Sequence, residues 1–366
     1  MSDKFGLGVV GTGAVAEIHA NAVNTLEEIE IVAACDLVEA RVKDYVDRHD
    51  ITSAYTDVDQ ILKDSRVRAV LVCTPPTSHC PIAEQAAAAG VHVMVEKPLT
   101  LDLRQADTAI AACRSAGIKF AVIYQRRFYD AAQRAHRAIE EGKIGKVILG
   151  DCVVKWWRRK EYYLEEPWRG TWDKEGGAVL VNQAIHAIDI YQWLMGPVES
   201  VYGLWDNFRH PYIEAEDVAV AALRFKNGAL GIIEAALVTN PTLGARITIH
   251  GDNGASVGFV EAPEGSIGVN EPWTIPGEEA EAAKFQAEQS RSKGAWPGYH
   301  ALQIQEFVQA ILEDRDPAVT AEEGRKSVEI VKAIYESARL GAPVKLPLLC
   351  AVPEMDEQIA TKDRQI

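Results

Sequence analysis

No run of apolar residues in this 366-residue chain approaches the roughly 20 needed to cross a bilayer. None of the six cysteines (Cys35, Cys73, Cys80, Cys113, Cys152 and Cys350) forms a C-x-x-C pair, so neither a zinc ribbon nor a dithiol redox motif is expected. Cys35 and Cys73 fall in apolar, strand-like runs, as reduced core thiols do, and no disulfide or metal site is expected. Positive charge is short as well. Lys and Arg number 38 against 53 Asp and Glu, and the net charge of −15 opposes a nucleic-acid or anionic-membrane partner. It does not oppose a small bound anion, because local backbone amides override the global field. The opening segment MSDKFGLGVV leads straight into an apolar run, which leaves no room for a signal peptide and predicts a cytoplasmic protein. Internal repeats and low-complexity segments are absent. The ordinary hydrophobic content of 48% and this length suit two domains with a sizeable core.

What is present begins with glycine. Phe5 to Val10 reads as a short buried strand, GTGAVA follows, and AEIHANAVNTL continues as a helix. Gly11, Gly13 and Ala16 take the G-x-G-x-x-G/A positions, with Ala14 and Val15 between them. The first glycine permits the tight turn, the second lets backbone approach a pyrophosphate, and the small third residue lets helix and strand pack closely. Amides at the helix start would then face phosphates at the positive end of the dipole. The next strand, IEIVAACD, ends in Asp36, where a carboxylate accepts both ribose hydroxyls of a dinucleotide and repels a 2′-phosphate. NAD is therefore expected over NADP. Arg41 is the only nearby cation and is expected on the outer helix face.

Strands and helices alternate over the first 125 residues in the βαβ manner, which predicts a doubly wound α/β Rossmann domain over 1–125. The pattern then changes. Residues 126–366 read as an α+β domain with an open, mainly antiparallel sheet, serving substrate binding and oligomerisation. EDVAVAALRF and ALGIIEAALV flank Asn227-Gly228, and RITIHG and ASVGFV flank Asp252-Asn253-Gly254, both hairpin signals. Glu261 to Gly298 is acidic and poorly periodic, a loop or lid candidate. Helices are expected over Tyr299 to Glu313 and Ala321 to Leu340. Strands such as ALGIIEAALV are apolar on both faces, which points to a homo-oligomer, a dimer or tetramer.

Four motifs, GTGAVA, CTPPTSH (Cys73 to His79), VEKPLT (Val95 to Thr100) and GGAVLVNQAIHAIDIYQWLMG (Gly176 to Gly196), resemble the glucose–fructose oxidoreductase/inositol dehydrogenase/rhizopine-catabolism (Gfo/Idh/MocA) family over nearly the whole length. The glycine motif is shared by many folds; the E-K-P motif followed by the GG…N…IH…D helix is more specific. The resemblance implies NAD-dependent oxidation or reduction of a secondary carbinol of a sugar or cyclitol.

Hydride transfer needs a group that takes the hydroxyl proton and donors that hold the developing oxyanion. Lys97, at the end of a central strand and followed by the rigid Pro98, is the first candidate; the bland alternative is a surface lysine. Asn182 and His186 fall one helical turn apart and share a face with Asp189 and Trp193, so an amide and an imidazole can grip a vicinal diol. A core histidine satisfied by a carbonyl is the alternative for His186. Many relatives carry Asp where this chain has Asn182. A neutral amide removes an influence that keeps a neighbouring lysine protonated, which favours Lys97 as the general base, with His186 competing. The resemblance also places Thr74, Pro75, Pro76, His79 and Glu96 along the cofactor, and Tyr124, Gln125 and Arg126 in the crevice, Gln125 toward the cofactor and Tyr124 toward substrate. The segment Lys155 to Trp172 is dense in aromatics and arginines, which suits the apolar faces and hydroxyl edges of sugars. From it Arg158 and Tyr163 are expected at the substrate, and Trp168 and Arg169 at the cofactor. Tyr299 and His300 are further substrate candidates. The leading function is NAD-dependent oxidation of a sugar, glycoside or cyclitol, with a pyranose ring position such as C3, or the reverse ketone reduction. Inositol dehydrogenation, an NAD-dependent glycoside hydrolase that oxidises transiently, and a non-catalytic NAD-occupied sensor stand beside it.

Overall fold

In the computed structural model the first apolar runs pair into one six-stranded parallel sheet. Its strands are β1 (Phe5–Val10), β2 (Ile29–Cys35), β3 (Ser53–Tyr55), β4 (Ala69–Val72), β5 (His92–Val95) and β6 (Phe120–Val122), in the order β3-β2-β1-β4-β5-β6. Helices α1 (Ala14–Val23), α2 (Glu39–Arg48), α3 (Val58–Leu62), α4 (His79–Ala89) and α5 (Leu103–Ser115) connect them. The order reverses between β1 and β4, the switch point at which such sheets bind ligands beyond their carboxyl ends. β1 and β4 are buried throughout, as strands covered on both faces must be. Asp102 caps α5 by accepting the Arg104 amide. The short β3 and α3 have no counterpart in the sequence expectation, because three- and five-residue elements carry too little periodicity to read. The structure describes residues 4–266, 268–281, 283–285 and 296–348; Cys350 and part of the Glu261–Gly298 loop candidate lie outside them.

The second sheet has seven strands in the order β12-β11-β7-β10-β9-β8-β13. They are β7 (Val147–Lys155), β8 (Val198–Asp206), β9 (Val218–Phe225), β10 (Leu230–Ala236), β11 (Gly244–Gly251), β12 (Ser256–Glu261) and β13 (Val344–Lys345). All pairs are antiparallel except β7 with β10. Both expected hairpins form, β9 with β10 and β11 with β12. The helices are α6 (Asp130–Glu140), α7 (Lys160–Leu164), α8 (Ile185–Met195), α9 (Trp296–Leu312) and α10 (Ala321–Leu340). α8 packs on one face of the sheet, where the Tyr191 hydroxyl donates to the Gly150 carbonyl at 2.7 Å. The other face shows Leu149, Tyr202, Leu204, Val220, Leu230 and Ile232, each more than 40% exposed. No helix among the described residues is long and apolar enough to cross a membrane.

The chain divides into two compact units: Met1–Arg134 with Gly265–Val269 and Glu281–Val328, and Ala135–Glu264 with Asn270–Ala280 and Glu329–Ile366. The sequence division at residue 125 differs from this, since α9 and the first part of α10 belong with the parallel sheet. Ala301, Ile304, Phe307 and Val308 give α9 an apolar stripe at helical spacing, and it is buried in one cluster with Leu7, Val9, Ala16 and Ala20.

Within the second unit, Glu216 organises the chain ahead of α8. It is fully buried and accepts the amides of Ala178 (3.1 Å) and Leu180 (3.0 Å) and the Tyr335 hydroxyl (2.7 Å). These contacts hold the start of a π-helical turn, Val179–Gln183, which carries Asn182. Gly177 precedes the turn with φ +145°, and a Cβ there would collide with the Tyr335 hydroxyl, so no other residue fits. Burial lifts the Glu216 carboxyl to about 7, against the pull of its donors. The unfolded chain loses this proton near 4.5 and the folded chain near 7, so folded stability falls as pH rises through that window. Glu216→Gln is expected to flatten this fall, by on the order of 2 kcal/mol between the ends of the window in urea melts. A slope identical to that of the parent protein would contradict the assignment.

Candidate active site

The cofactor half lies in the parallel-sheet unit. Gly11, with φ +89°, donates its amide to the Cys35 carbonyl at 2.8 Å, and a Cβ there would meet Thr74 and Cys73 within 2.9 Å. At Gly13, which opens α1, a Cβ would meet no atom within 4 Å, so chain packing does not require a glycine there. That open ground at a helix N-terminus is what a pyrophosphate needs. Ala14 and Val15 form the first turn of α1, and Ala16 is fully buried, as close helix–sheet packing requires. Asp36 is fixed by the Thr12 amide (2.9 Å), the Thr12 hydroxyl (3.0 Å) and the Val38 amide (2.9 Å). Burial works against its ionisation, but these donors and the Arg41 charge outweigh it and hold the carboxyl below its ordinary range. Arg41 is exposed, and its charge still reaches Asp36. Gln125 is 3% exposed with a buried Oε1 that has no hydrogen-bond partner among the described residues. An open cradle at Gly13, a preset carboxylate at Asp36 and an orphaned amide oxygen at Gln125 fit a dinucleotide.

Other candidate cofactor residues also brace the chain. His79 is fully buried, with Nδ1 2.9 Å from the Pro98 carbonyl and Nε2 2.8 Å from the Thr74 carbonyl. It ties the loop after β4, which holds Thr74 and the exposed Pro75, to the loop after β5, and burial lowers its pKa. Glu96 Oε1 lies 2.8 Å from His19 Nε2 and its Oε2 accepts the Lys97 amide at 3.1 Å. Burial would raise this carboxyl, yet the His19 bond and the charges of His19, His300 and Lys97 bring it down to about 2. His300 packs edge-on against His19, 5.3 Å between ring centres, and is only 2% exposed. The Lys97–Pro98 bond is cis. Tyr124 is 1% exposed with a buried hydroxyl, a core residue rather than an open crevice contact, and its amide donates to Gln303. Arg126 is likewise buried. Tyr299 is half-buried, its ring 4.4 Å from that of Tyr129.

The second unit holds Asn182 and His186. Asn182 lies in the π-turn rather than in a continuous α-helix, and His186, 6% exposed, lies in the first turn of α8. Asp189 is fully buried, unlike a solvent-facing helix aspartate. The Asn182 amide donates to Glu175 Oε1 and, at 3.2 Å, to the Tyr162 hydroxyl. Glu175, 3% exposed, also accepts the Gly170 amide. Tyr162 further accepts from Gln183 at 2.8 Å and lies under the Arg169 guanidinium, 4.1 Å from ring centre. The aromatic segment thus contributes Tyr162. Tyr163 is 4% exposed and packs on Tyr162, His210 and Tyr212, with a buried hydroxyl that has no hydrogen-bond partner among the described residues. The Arg158 guanidinium is paired bidentately with Glu264 and donates to Gln183 Oε1 at 2.5 Å. Trp168 donates to Glu166, and Arg169 to the Tyr162 carbonyl at 2.8 Å; both belong to the second unit. Glu175 escapes a reading of the sequence because an isolated acid before Gly176-Gly177 has no periodic signature. Tyr162 is hidden by its equally plausible neighbour.

Residues 5–124 match the oxidoreductase family with an NAD-binding Rossmann fold, and residues 136–346 match the C-terminal alpha/beta domain of the same family. The chain is 30% identical to the WlbA dehydrogenase of Bordetella pertussis, solved in complex with NADH and UDP-GlcNAcA. That match has a TM-score of 0.87 and covers 95% of this chain and 99% of that one. It is 29% identical to the myo-inositol 2-dehydrogenase of Thermotoga maritima over 68% of this chain and 73% of that protein. Identity to the scyllo-inositol 2-dehydrogenase (NAD(+)) of Bacillus subtilis is 26% over 94% and 97% respectively. With a glycine-rich turn and preset Asp36 on a parallel sheet, and Asn182 and His186 on the second domain, the chain belongs to the Gfo/Idh/MocA family of NAD-dependent oxidoreductases.

Proposed function

We propose that the protein oxidises a secondary alcohol on the ring of a pyranose sugar or glycoside, with C3 as the candidate carbon, or reduces the corresponding ketone. The observation that carries this reading is the pair Asn182 and His186, an oriented amide in the π-turn and a nearly buried imidazole in the first turn of α8, which suits neighbouring ring hydroxyls. NAD supplies the hydride acceptor when bound. Gly11, Gly13, Ala14 and Val15 would hold its phosphates, Asp36 the adenosine ribose, Thr74 and Pro75 its flank, and Gln125 a polar edge. Asp36, held ionised, would repel a 2′-phosphate, which favours NAD over NADP. Lys97 takes the hydroxyl proton as general base in this reading, and His186 is the competing base. Trp168 and Arg169 are proposed as further cofactor contacts. The UDP-GlcNAcA bound by the Bordetella relative widens the substrate range to nucleotide-linked uronates, which are substituted pyranoses. Inositol dehydrogenases among the relatives favour a cyclitol as the second reading.

NADH absorbance across free sugars, glycosides, uronates, UDP-linked sugars and inositols separates these readings. Accumulation with a pyranose is expected. Accumulation with inositols alone would favour the cyclitol, and aglycone release without NADH would favour transient oxidation in a hydrolase. With the best substrate, Lys97→Ala is expected to lose about 10²–10⁴-fold in turnover with cofactor affinity largely kept. Near-normal turnover in a folded variant would remove Lys97 from the chemistry.

The exposed apolar face of the second sheet supports a homo-oligomer, a dimer or tetramer, since an uncovered patch spanning β7 to β10 is unusual for a monomer. Sedimentation at micromolar concentration is expected to give a multiple of 40.1 kDa, and Ile232→Lys to shift it toward the single chain. A single-chain mass for the unaltered protein would contradict this.

A further inference from the structure

The polarity of the Asn182 side chain is decided by its neighbours. Its amide nitrogen carries two hydrogens and meets two acceptors, Glu175 Oε1 and, at 3.2 Å, the Tyr162 hydroxyl oxygen. The hydroxyl alone would not fix the amide, because a phenol accepts or donates with equal ease. Here it already accepts from Gln183 at 2.8 Å. Glu175 is different, because both of its oxygens accept N–H groups, Oε1 from Asn182 and Oε2 from Gly170. Turning Oδ1 toward Glu175 would set acceptor against acceptor, and at a carboxylate that is 3% exposed water cannot relieve the conflict. Glu175 is itself held, since its other oxygen accepts the Gly170 amide. The Asn182 carbonyl must therefore point away from Glu175.

We infer that Glu175 is a positioning residue that makes Asn182 a hydrogen-bond acceptor toward the substrate, so that position 182 selects a hydroxyl presented as donor. This rests on the reading of Asn182 as a substrate contact given above. An aspartate at this position would be an acceptor without help. In this chain the carboxyl group lies behind the side chain, on Glu175, and a neutral amide oriented by it gives the same polarity. Asparagine at 182 and glutamate at 175 form a matched set. An aspartate at 182 would face the Glu175 carboxylate at hydrogen-bond distance, and the two would have to share a proton.

The test is a charge swap in the full chain at neutral pH. Glu175→Gln leaves the Asn182 amide free to reverse, and is expected to raise KM for the best substrate about tenfold, with a smaller change in kcat. Asn182→Asp sets two carboxylates together, and is expected to raise KM similarly and lower Tm by roughly 2–4 °C. In the double variant, Glu175→Gln with Asn182→Asp, the new amide donates to the new carboxylate. KM should then return to within about threefold of the parent, and most of the Tm loss should disappear. A double variant whose KM shows the product of the two single effects overturns the inference, as does an unchanged KM in Glu175→Gln. If the parent protein turned over none of the sugars or cyclitols, the proposed function would fail instead. The melting comparison alone would then decide: recovery of Tm in the double variant supports the pairing, and no recovery overturns it.

Discussion

A single buried carboxyl sets the geometry of the turn ahead of α8. Glu216 takes the amides of Ala178 and Leu180 and the Tyr335 hydroxyl, and so bends the chain into a π-turn instead of letting α8 begin earlier. Gly177 is the residue that makes this bend sterically possible. Everything that follows depends on the bend: where Asn182 lies, which neighbours its amide meets, and where in the first turn of α8 His186 falls. Burying this acid is expensive, as its raised pKa records. A cost of this kind is tolerated where it fixes a functional turn.

The parallel-sheet unit uses its polar residues in the same indirect way. Asp36 is tied down by Thr12 and Val38, so its orientation is set by the chain itself. His79 braces the loops after β4 and β5 against each other, and the pair of Glu96 with His19 anchors the backbone amide from which Lys97 extends. Polar residues near the switch point thus fall into two groups: a few that are available to a ligand, and a surrounding set whose hydrogen bonds are spent on holding the first group still.

This division explains what is legible from the residues alone. Long periodic elements are, because alternation in β9 and β10 and the glycine turn after β1 follow from local sterics. Lys97, Asn182 and His186 stand out by motif, and Gln125 by its place after β6. The partners do not. Glu175, Glu216 and Tyr335 matter through contacts 7, 36, 38 and 119 residues distant in sequence, which no local pattern encodes. For the same reason the departure at Asn182 reads in the sequence as the loss of a carboxylate, whereas Glu175 supplies one directly to that amide. Arg158 and Tyr163 look like sugar ligands from composition, which reports the groups present and not the contacts they make within the chain. Chain order assigns α9 to the second domain, and its apolar stripe places it with the first.

The central claim is that a ring carbon of a sugar gives up its hydrogen as hydride to NAD. A pyranose deuterated singly at successive ring carbons, incubated with the protein and NAD, tests this by mass spectrometry of the reduced cofactor. The account predicts deuterium in the cofactor from one ring position, with C3 as the candidate. Reduced cofactor without deuterium from any ring carbon would contradict it.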